Sequence, residues 1–138
     1  GLPPGPIRAL NPRGGGLVVA VRGRWGYPAG MNMETGLVMT TFPDPAAAAK
    51  VLDGLLENQL AACVQTMPIQ SAYRWKGAVE TAEEFPLFAK TTRDRYSLLE
   101  RVVRELHPYE LPEIIAVPLG GGLPAYLEWV AAETRPAK

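Results

Sequence analysis

The chain has 138 residues, of which 47% are hydrophobic and 20% are charged, and its formal net charge at pH 7 is zero. This length and composition are typical of one globular domain with a substantial core. The four arginines of residues 1–30 have no acid in the same stretch, so the rest of the chain carries ten basic and fourteen acidic residues. Because nucleic-acid binding depends on Lys and Arg side chains that neutralise phosphates, this acidic body argues against a nucleic-acid partner.

Residues 1–30 differ in composition from the rest of the chain. Thirteen of them are Gly or Pro, and the one apolar run, residues 17–21, is five residues long. Such a run is too short to cross a bilayer or to form the core of a secretory signal. We therefore predict a flexible leader over residues 1–30, one domain over residues 31–138, and no membrane partner. The single cysteine, Cys63, excludes an internal disulfide and favours a cytoplasmic location.

The first predicted element of the body is a buried strand over residues 37–42, which are rich in β-forming side chains and are followed by Pro43. A helix comes next, because Asp44 can accept hydrogen bonds from the free amides of a first turn and Pro45 needs no partner there. Apolar side chains recur at helical spacing between residues 48 and 55, which gives this helix one face for the core.

An alternating pattern over residues 63–75 predicts a long strand, with a bulge or bend at Pro68. The letters KG at residues 76–77 are a turn signal, so residues 78–91 are expected to return as the second strand of a β-hairpin. Pro86 interrupts this returning strand, because proline has no backbone N–H group for the ladder. It therefore favours a sheet edge or a bulge at that position.

The second half of the body predicts a helix, a strand and a last helix. Residues 93–106 place apolar side chains on one helical face and end before Pro108, residues 113–117 form a short buried strand, and residues 124–134 form a final helix. The order β-α-β-β-α-β plus a C-terminal helix predicts an α+β, ferredoxin-like fold with two helices on one face of an antiparallel sheet. The long hairpin and the sheet edges need cover, so we also predict a symmetric homo-oligomer.

Six segments of the body resemble the CutA family of divalent-cation tolerance proteins. In family order they are FPD with the helix after it, LAACV at residues 60–64, YRWKG at 73–77, KT at 90–91, HPYELPEIIAVPL at 107–119 and GLPAYLEWV at 122–130. The resemblance covers residues 37–134, and the HPYE-x-PEI block is its most distinctive part. It implies a ferredoxin-like subunit in a compact homotrimer with a non-enzymatic role in tolerance of copper and other divalent cations.

The candidate metal ligands are His107, Cys63, Glu110 and Glu113. Copper accepts imidazole readily, and carboxylates suit harder cations. Each residue also has a structural interpretation, with Cys63 as a small buried apolar side chain and His107 as a residue that binds the last carbonyls of a helix. Some metal-binding family members carry further cysteines at positions that correspond here to Met39 and Val102, so those thiolates are absent from this chain.

A second set of residues is expected in clefts between subunits, namely Tyr73, Arg74, Trp75, Lys90 and Tyr109. The long predicted strand alternates aromatic with polar side chains. Such a surface can be half buried by a neighbouring copy while it holds a small anion or metabolite. Plain packing between subunits is the alternative role for these side chains.

We therefore expect a non-enzymatic trimer that binds copper or another divalent cation near its subunit clefts and uses no organic cofactor. One alternative is a trimeric scaffold or small-molecule-binding signalling protein without a specific metal. A less favoured alternative is an acylphosphatase-like hydrolase, which would need an arginine in an anion-binding loop after the first strand, where this chain has TTFPDP. Nucleophilic catalysis by Cys63 would need a base, and His107 is the only histidine.

Overall fold

The computed structural model describes residues 34–135, so the leader predicted over residues 1–30 lies outside the described part of the chain. The elements are β1 (Thr35–Phe42), α1 (Pro45–Glu57), β2 (Cys63–Thr66), β3 (Ile69–Trp75), β4 (Ala78–Thr92), α2 (Tyr96–Leu106), β5 (Ile114–Pro118) and α3 (Pro124–Glu133). This order confirms the predicted α+β arrangement and its C-terminal helix. No helix within residues 34–135 is long and apolar enough to span a membrane.

Strand β4 is the centre of the sheet, because it pairs with β1 on one side and with both β2 and β3 on the other. Strand β5 pairs with the other side of β1, and every pairing is antiparallel. The long strand predicted over residues 63–75 is two strands, which are separated at Met67 and Pro68. The turn at residues 76–77 has φ values of 50° and 82°, as a two-residue type I′ hairpin requires.

Pro86 lies in β4 where the strand beside it is interrupted. Thr66 pairs with Leu87, and Ile69 pairs with Glu84. The ladder on this side therefore skips Pro86, whose carbonyl accepts a hydrogen bond from Thr66 Oγ1 at 2.7 Å. Since the N–H and C=O groups of a strand residue point to the same side, the missing N–H of Pro86 faces the interruption. The proline thus costs no ladder bond, in keeping with the bulge that its sequence position predicts.

The core lies between one face of the sheet and helices α1 and α2. Its buried side chains include Val38, Phe42, Val51, Leu55, Leu87, Ala89, Leu99 and Val103. Helix α3 packs on the opposite face. Lys90 of β4 points to that face, because it alternates with the core residues of the strand, and its ammonium lies 5.7 Å from the Tyr126 ring centroid. Val130 of α3 is buried. Tyr126 and Trp129 of the same helix are exposed in the single chain.

Helix α1 begins with the predicted cap and ends in a strained one. The Asp44 side chain accepts the N–H of Ala47 at 2.8 Å. At the other end, Gln59 has a φ of 53°, and the N–H of Leu60 donates to the Leu55 carbonyl at 2.8 Å. This is the Schellman arrangement, in which glycine is the usual left-handed residue. A side chain there costs about 1–2 kcal/mol.

Gln59→Gly is expected to stabilise the protein by about 0.5–1 kcal/mol, because glycine lacks the Cβ that makes this conformation costly. The gain is below the full steric cost, since glycine also gives the unfolded chain more freedom. Denaturant unfolding of the two proteins measures the difference. Asn58→Gly is the control and should lose stability, because Asn58 has a φ of −93° and its side chain donates to the Gly54 carbonyl. Equal stabilities of Gln59→Gly and the parent chain would contradict the strained-cap interpretation.

Candidate functional site

The candidate site lies at the end of the sheet where β1 is followed by α1 and where the chain leaves α2. His107, the residue after α2, reaches back to β1. Its Nε2–H donates to the Thr41 carbonyl across 2.7 Å, and its Nδ1 accepts the backbone N–H of Tyr109 at 3.1 Å. A ring that donates at Nε2 and accepts at Nδ1 is a neutral imidazole. Both nitrogens of His107 therefore have backbone partners.

The His107 ring contacts two other aromatic rings. It stacks on Phe42 with centroids 4.4 Å apart and planes 19° apart, and its centroid is 5.0 Å from that of Tyr109. Partial burial lowers the pKa of His107, against the opposite influence of the Thr41 carbonyl and the Glu84 carboxylate. Its neutral form is the one that its two hydrogen bonds require.

Glu84 is a buried acid that contacts Tyr109 and influences the pKa values of His107 and Glu113. It lies on β4 with 5% of its surface exposed, and its Oε2 accepts a hydrogen bond from the Tyr109 phenol at 2.9 Å. Burial, followed by this hydrogen bond, raises the pKa of Tyr109, so the phenol keeps its proton at neutral pH. A carboxylate removed from water is costly unless partners offset its charge.

Glu84 also acts on two other groups nearby. Burial first and Glu84 second raise the pKa of Glu113, and burial followed by Glu84 and Glu80 raises the pKa of Tyr73. We call Glu84, His107, Tyr109 and Glu113 the Glu84 cluster. The charges that shift these two pKa values, in either direction, are those of Glu84 and Glu80, and both are negative. The described surroundings of the cluster therefore favour a cation.

Of the four expected metal ligands, His107 contacts Tyr109, and Glu113 is exposed but near enough for Glu84 to raise its pKa. Glu110 is exposed in the loop beside the Glu84 cluster. Within residues 34–135, no group of three or more His, Cys, Asp or Glu side chains is placed to hold a metal ion. A metal site built from protein side chains alone is therefore not formed by the described part of one chain.

Cys63 lies away from the Glu84 cluster. It pairs with Lys90, whereas Thr41, the hydrogen-bond partner of His107, pairs with Pro86. Four residues of β4 separate these two positions, which is roughly 13 Å along the strand. Cys63 is a half-buried free thiol, and this separation keeps it from acting with His107 as a nucleophile and base within one chain.

Five residues are expected in a subunit cleft, namely Tyr73, Arg74, Trp75, Lys90 and Tyr109. Within one chain they do not lie together. Tyr73 and Trp75 project from one face of the hairpin, and Arg74 projects from the other face and is exposed. Lys90 Nζ donates to Gln65 Oε1 at 2.8 Å, next to α3. Tyr109 belongs to the Glu84 cluster. The Tyr109 phenol donates a hydrogen bond to the buried acid Glu84.

Sequence reasoning missed Glu84. The available signal was its place in β4, since alternation sets it on the same face as Pro86 and Phe88 in the more buried half of the strand. An acid in such a stretch is unusual. Its partner Tyr109 is 25 residues away, however, and no local spacing rule predicts that pair.

The chain is an α+β protein with a ferredoxin-like arrangement and an acidic cluster at one end of its sheet. The profile of the family described as CutA1 divalent ion tolerance protein matches residues 36–133. The chain belongs to this family.

Individual relatives agree with this membership. The divalent-cation tolerance protein CutA of Thermus thermophilus is 39% identical over 99 residues, which cover 71% of this chain and 96% of that protein. A CutA homolog of Xenopus laevis is 44% identical over 91 residues, which cover 65% of this chain and 60% of that protein. The chain thus spans less than two thirds of the Xenopus relative and nearly all of the Thermus relative.

Solved structures share the fold. CutA1 from Shewanella sp. SIB1 has a TM-score of 0.73 and 36% identity, and the match covers 75% of this chain and 98% of that one. A protein from Archaeoglobus fulgidus, described as a periplasmic divalent cation tolerance protein CutA, has a TM-score of 0.71 and 33% identity, with 73% and 99% covered. The cytoplasmic location expected from the single cysteine stays a prediction.

Glu113→Gln is expected to stabilise the metal-free protein at pH 7. Because the pKa of Glu113 is raised by burial and by Glu84, the folded state holds this proton more tightly than the unfolded chain. The stability that the proton contributes is complete below the ordinary pKa of 4.5 and is lost as the pH rises through the folded-state pKa. The Gln side chain stays neutral, so the stability of the variant relative to the parent chain should increase as the pH rises.

Thermal unfolding at several pH values from 4.5 to 7.5 measures this trend. Glu105→Gln is the control, because Glu105 is an exposed acid of α2, and it should show no comparable change with pH. A difference between Glu113→Gln and the parent chain that is constant over this range would contradict the prediction.

Proposed function

We propose that the chain is a non-enzymatic protein that binds a divalent cation at the Glu84 cluster, with the carboxylates of Glu84 and Glu113 as ligands. Glu84 carries this proposal, because it is a carboxylate with 5% of its surface exposed and its neighbours include a phenol and a second acid. A bound cation would offset the cost of burying Glu84 and the repulsion between the two carboxylates. The description of the family supports this class of ligand.

The donor atoms fit a hard cation better than a soft one. Carboxylate oxygens suit Mg²⁺, Ca²⁺ and Mn²⁺. Two carboxylates leave coordination positions for water or for side chains of another copy. Copper, the cation expected from the resemblance, readily binds imidazole. To bind copper, however, His107 would first have to release either the Thr41 carbonyl or the Tyr109 N–H. We therefore propose oxygen ligation rather than ligation by His107 and Cys63.

Calorimetric titration of the metal-free protein with Mg²⁺, Mn²⁺, Zn²⁺ and Cu²⁺ tests the proposed site. Glu84→Gln removes the central ligand charge and should weaken binding about tenfold or more. Glu105→Gln removes the same charge from an exposed position on α2 and should change the affinity by less than about twofold.

Two outcomes would contradict oxygen ligation at the Glu84 cluster. Equal, small losses in Glu84→Gln and Glu105→Gln would mean that cations are attracted only by the overall negative charge. Binding of Cu²⁺ that survives Glu84→Gln and disappears in His107→Ala would favour the copper site expected from the sequence.

We also propose that the chain assembles as a homotrimer through the face of the sheet opposite α1 and α2. Ile115 and Val117 of β5 lie on this face, and they are 46% and 42% exposed in the single chain. Among the strands of residues 34–135, β5 has only β1 as a neighbour, and β3 has only β4. Exposed apolar side chains beside unpaired strand edges are typical of a surface that another chain covers.

Val117→Lys is expected to weaken self-association about tenfold or more, because the contact would bury an unpaired charge. Val79→Lys is the matched control, since Val79 is 63% exposed and pairs with Arg74, on the same face of the hairpin as that side chain. Native mass spectrometry across a dilution series measures both. Val117→Lys that keeps the parent mass at every concentration would exclude this face as the interface.

A further inference from the structure

We infer that His107 is a positioning residue of the Glu84 cluster, which acts through Tyr109, and is not itself a ligand of the cation. This role rests on the proposed cation site at Glu84 and Glu113. It also changes the expectation from the sequence, in which the single histidine is the first candidate ligand.

Both nitrogens of His107 are already engaged in hydrogen bonds. A cation bound at Nε2 would take the place of the Thr41 carbonyl at 2.7 Å, and a cation bound at Nδ1 would displace the Tyr109 N–H at 3.1 Å. Either exchange leaves a partly buried backbone group without its partner, which costs about 1–3 kcal/mol. The stacked Phe42 ring, 4.4 Å away, also opposes a rotation of the imidazole toward another site.

The contacts of His107 lead to Tyr109 and from there to Glu84. The Nδ1 atom holds the backbone N–H of Tyr109, and the imidazole lies against the Tyr109 ring with centroids 5.0 Å apart. The held Tyr109 then places its phenol 2.9 Å from Glu84 Oε2, which orients the carboxylate. Partners that orient a metal ligand from outside typically contribute about 10–100-fold to metal affinity.

A double-mutant cycle tests whether His107 acts through Tyr109. Tyr109→Phe removes the phenol and keeps the ring, and His107→Phe keeps an aromatic ring beside Phe42 but removes both hydrogen bonds. We expect each change to weaken Zn²⁺ binding about tenfold and the double variant to be no weaker than either single one, because both changes break the same series of contacts. His107→Gln, which retains a donor and an acceptor, should recover part of the affinity.

Additive losses, which would amount to about a hundredfold in the double variant, would overturn the inference, because independent effects add. So would an affinity in His107→Phe that equals that of the parent chain. Thermal unfolding of each variant without metal accompanies the titrations, so that a variant that loses its fold is recognised and the His107→Gln comparison then decides.

Nuclear magnetic resonance of the ring nitrogens reads the role of His107 directly, because the chain has one histidine. We expect the proton on Nε2, with Nδ1 as an acceptor, and we expect both ¹⁵N shifts to stay unchanged when Zn²⁺ is added. The side-chain carboxyl signals of Glu84 and Glu113 should move in the same titration. Zn²⁺ is a demanding probe, since imidazole is one of its preferred ligands.

The results separate this role from the proposed function. If ring-nitrogen signals of His107 shift strongly while Zn²⁺ binds, His107 is a ligand and the positioning role is wrong, although cation binding stands. If the parent chain binds none of Zn²⁺, Mg²⁺ and Mn²⁺ and the carboxyl signals do not move, the proposed function fails and the role of His107 fails with it.

Discussion

Strand β4 determines the arrangement of the whole sheet. Its fifteen residues carry the ladders to β1, β2 and β3, so its register decides which side chains of the sheet meet. Alternation sends Leu87 and Ala89 to the helices and turns Glu84 and Pro86 to the other face. The same register sets Glu84 opposite Ile69 at the start of β3, close to the loop that follows α2. The acid and the loop meet because the strand places them at one end of the sheet.

The acidic side chains at this end of the sheet lower the stability of the fold. The carboxylate of Glu84 is nearly buried, and a second acid, Glu113, holds its proton more tightly because of burial and of Glu84. The hydrogen bond from the Tyr109 phenol offsets part of the cost of this buried charge. Departures from the rules of stable packing are expected where a protein binds something, and here they coincide with the Glu84 cluster.

The elements of the fold were predictable, whereas the site was predictable only in part. Asp44 at the start of α1 and the turn at residues 76–77 act through neighbours in sequence, so local patterns identify them. Long-range contacts have no such pattern. The HPY letters drew attention to His107 and Tyr109, but Glu84 is set against them by strand register. The thiol of Cys63 makes it a candidate ligand by chemical type, but the same register places it beside Lys90.

Residue type says which ligands a side chain can hold, and hydrogen bonding says which of them it is free to hold. Histidine suggests copper, yet an imidazole with a backbone partner at each nitrogen can bind a metal only by giving one partner up. Carboxylates lack this restriction, because each oxygen accepts several contacts at once. A site of carboxylates and water selects cations by size and coordination number more than by softness. Such a site suits a family described by divalent ions in general rather than by one metal.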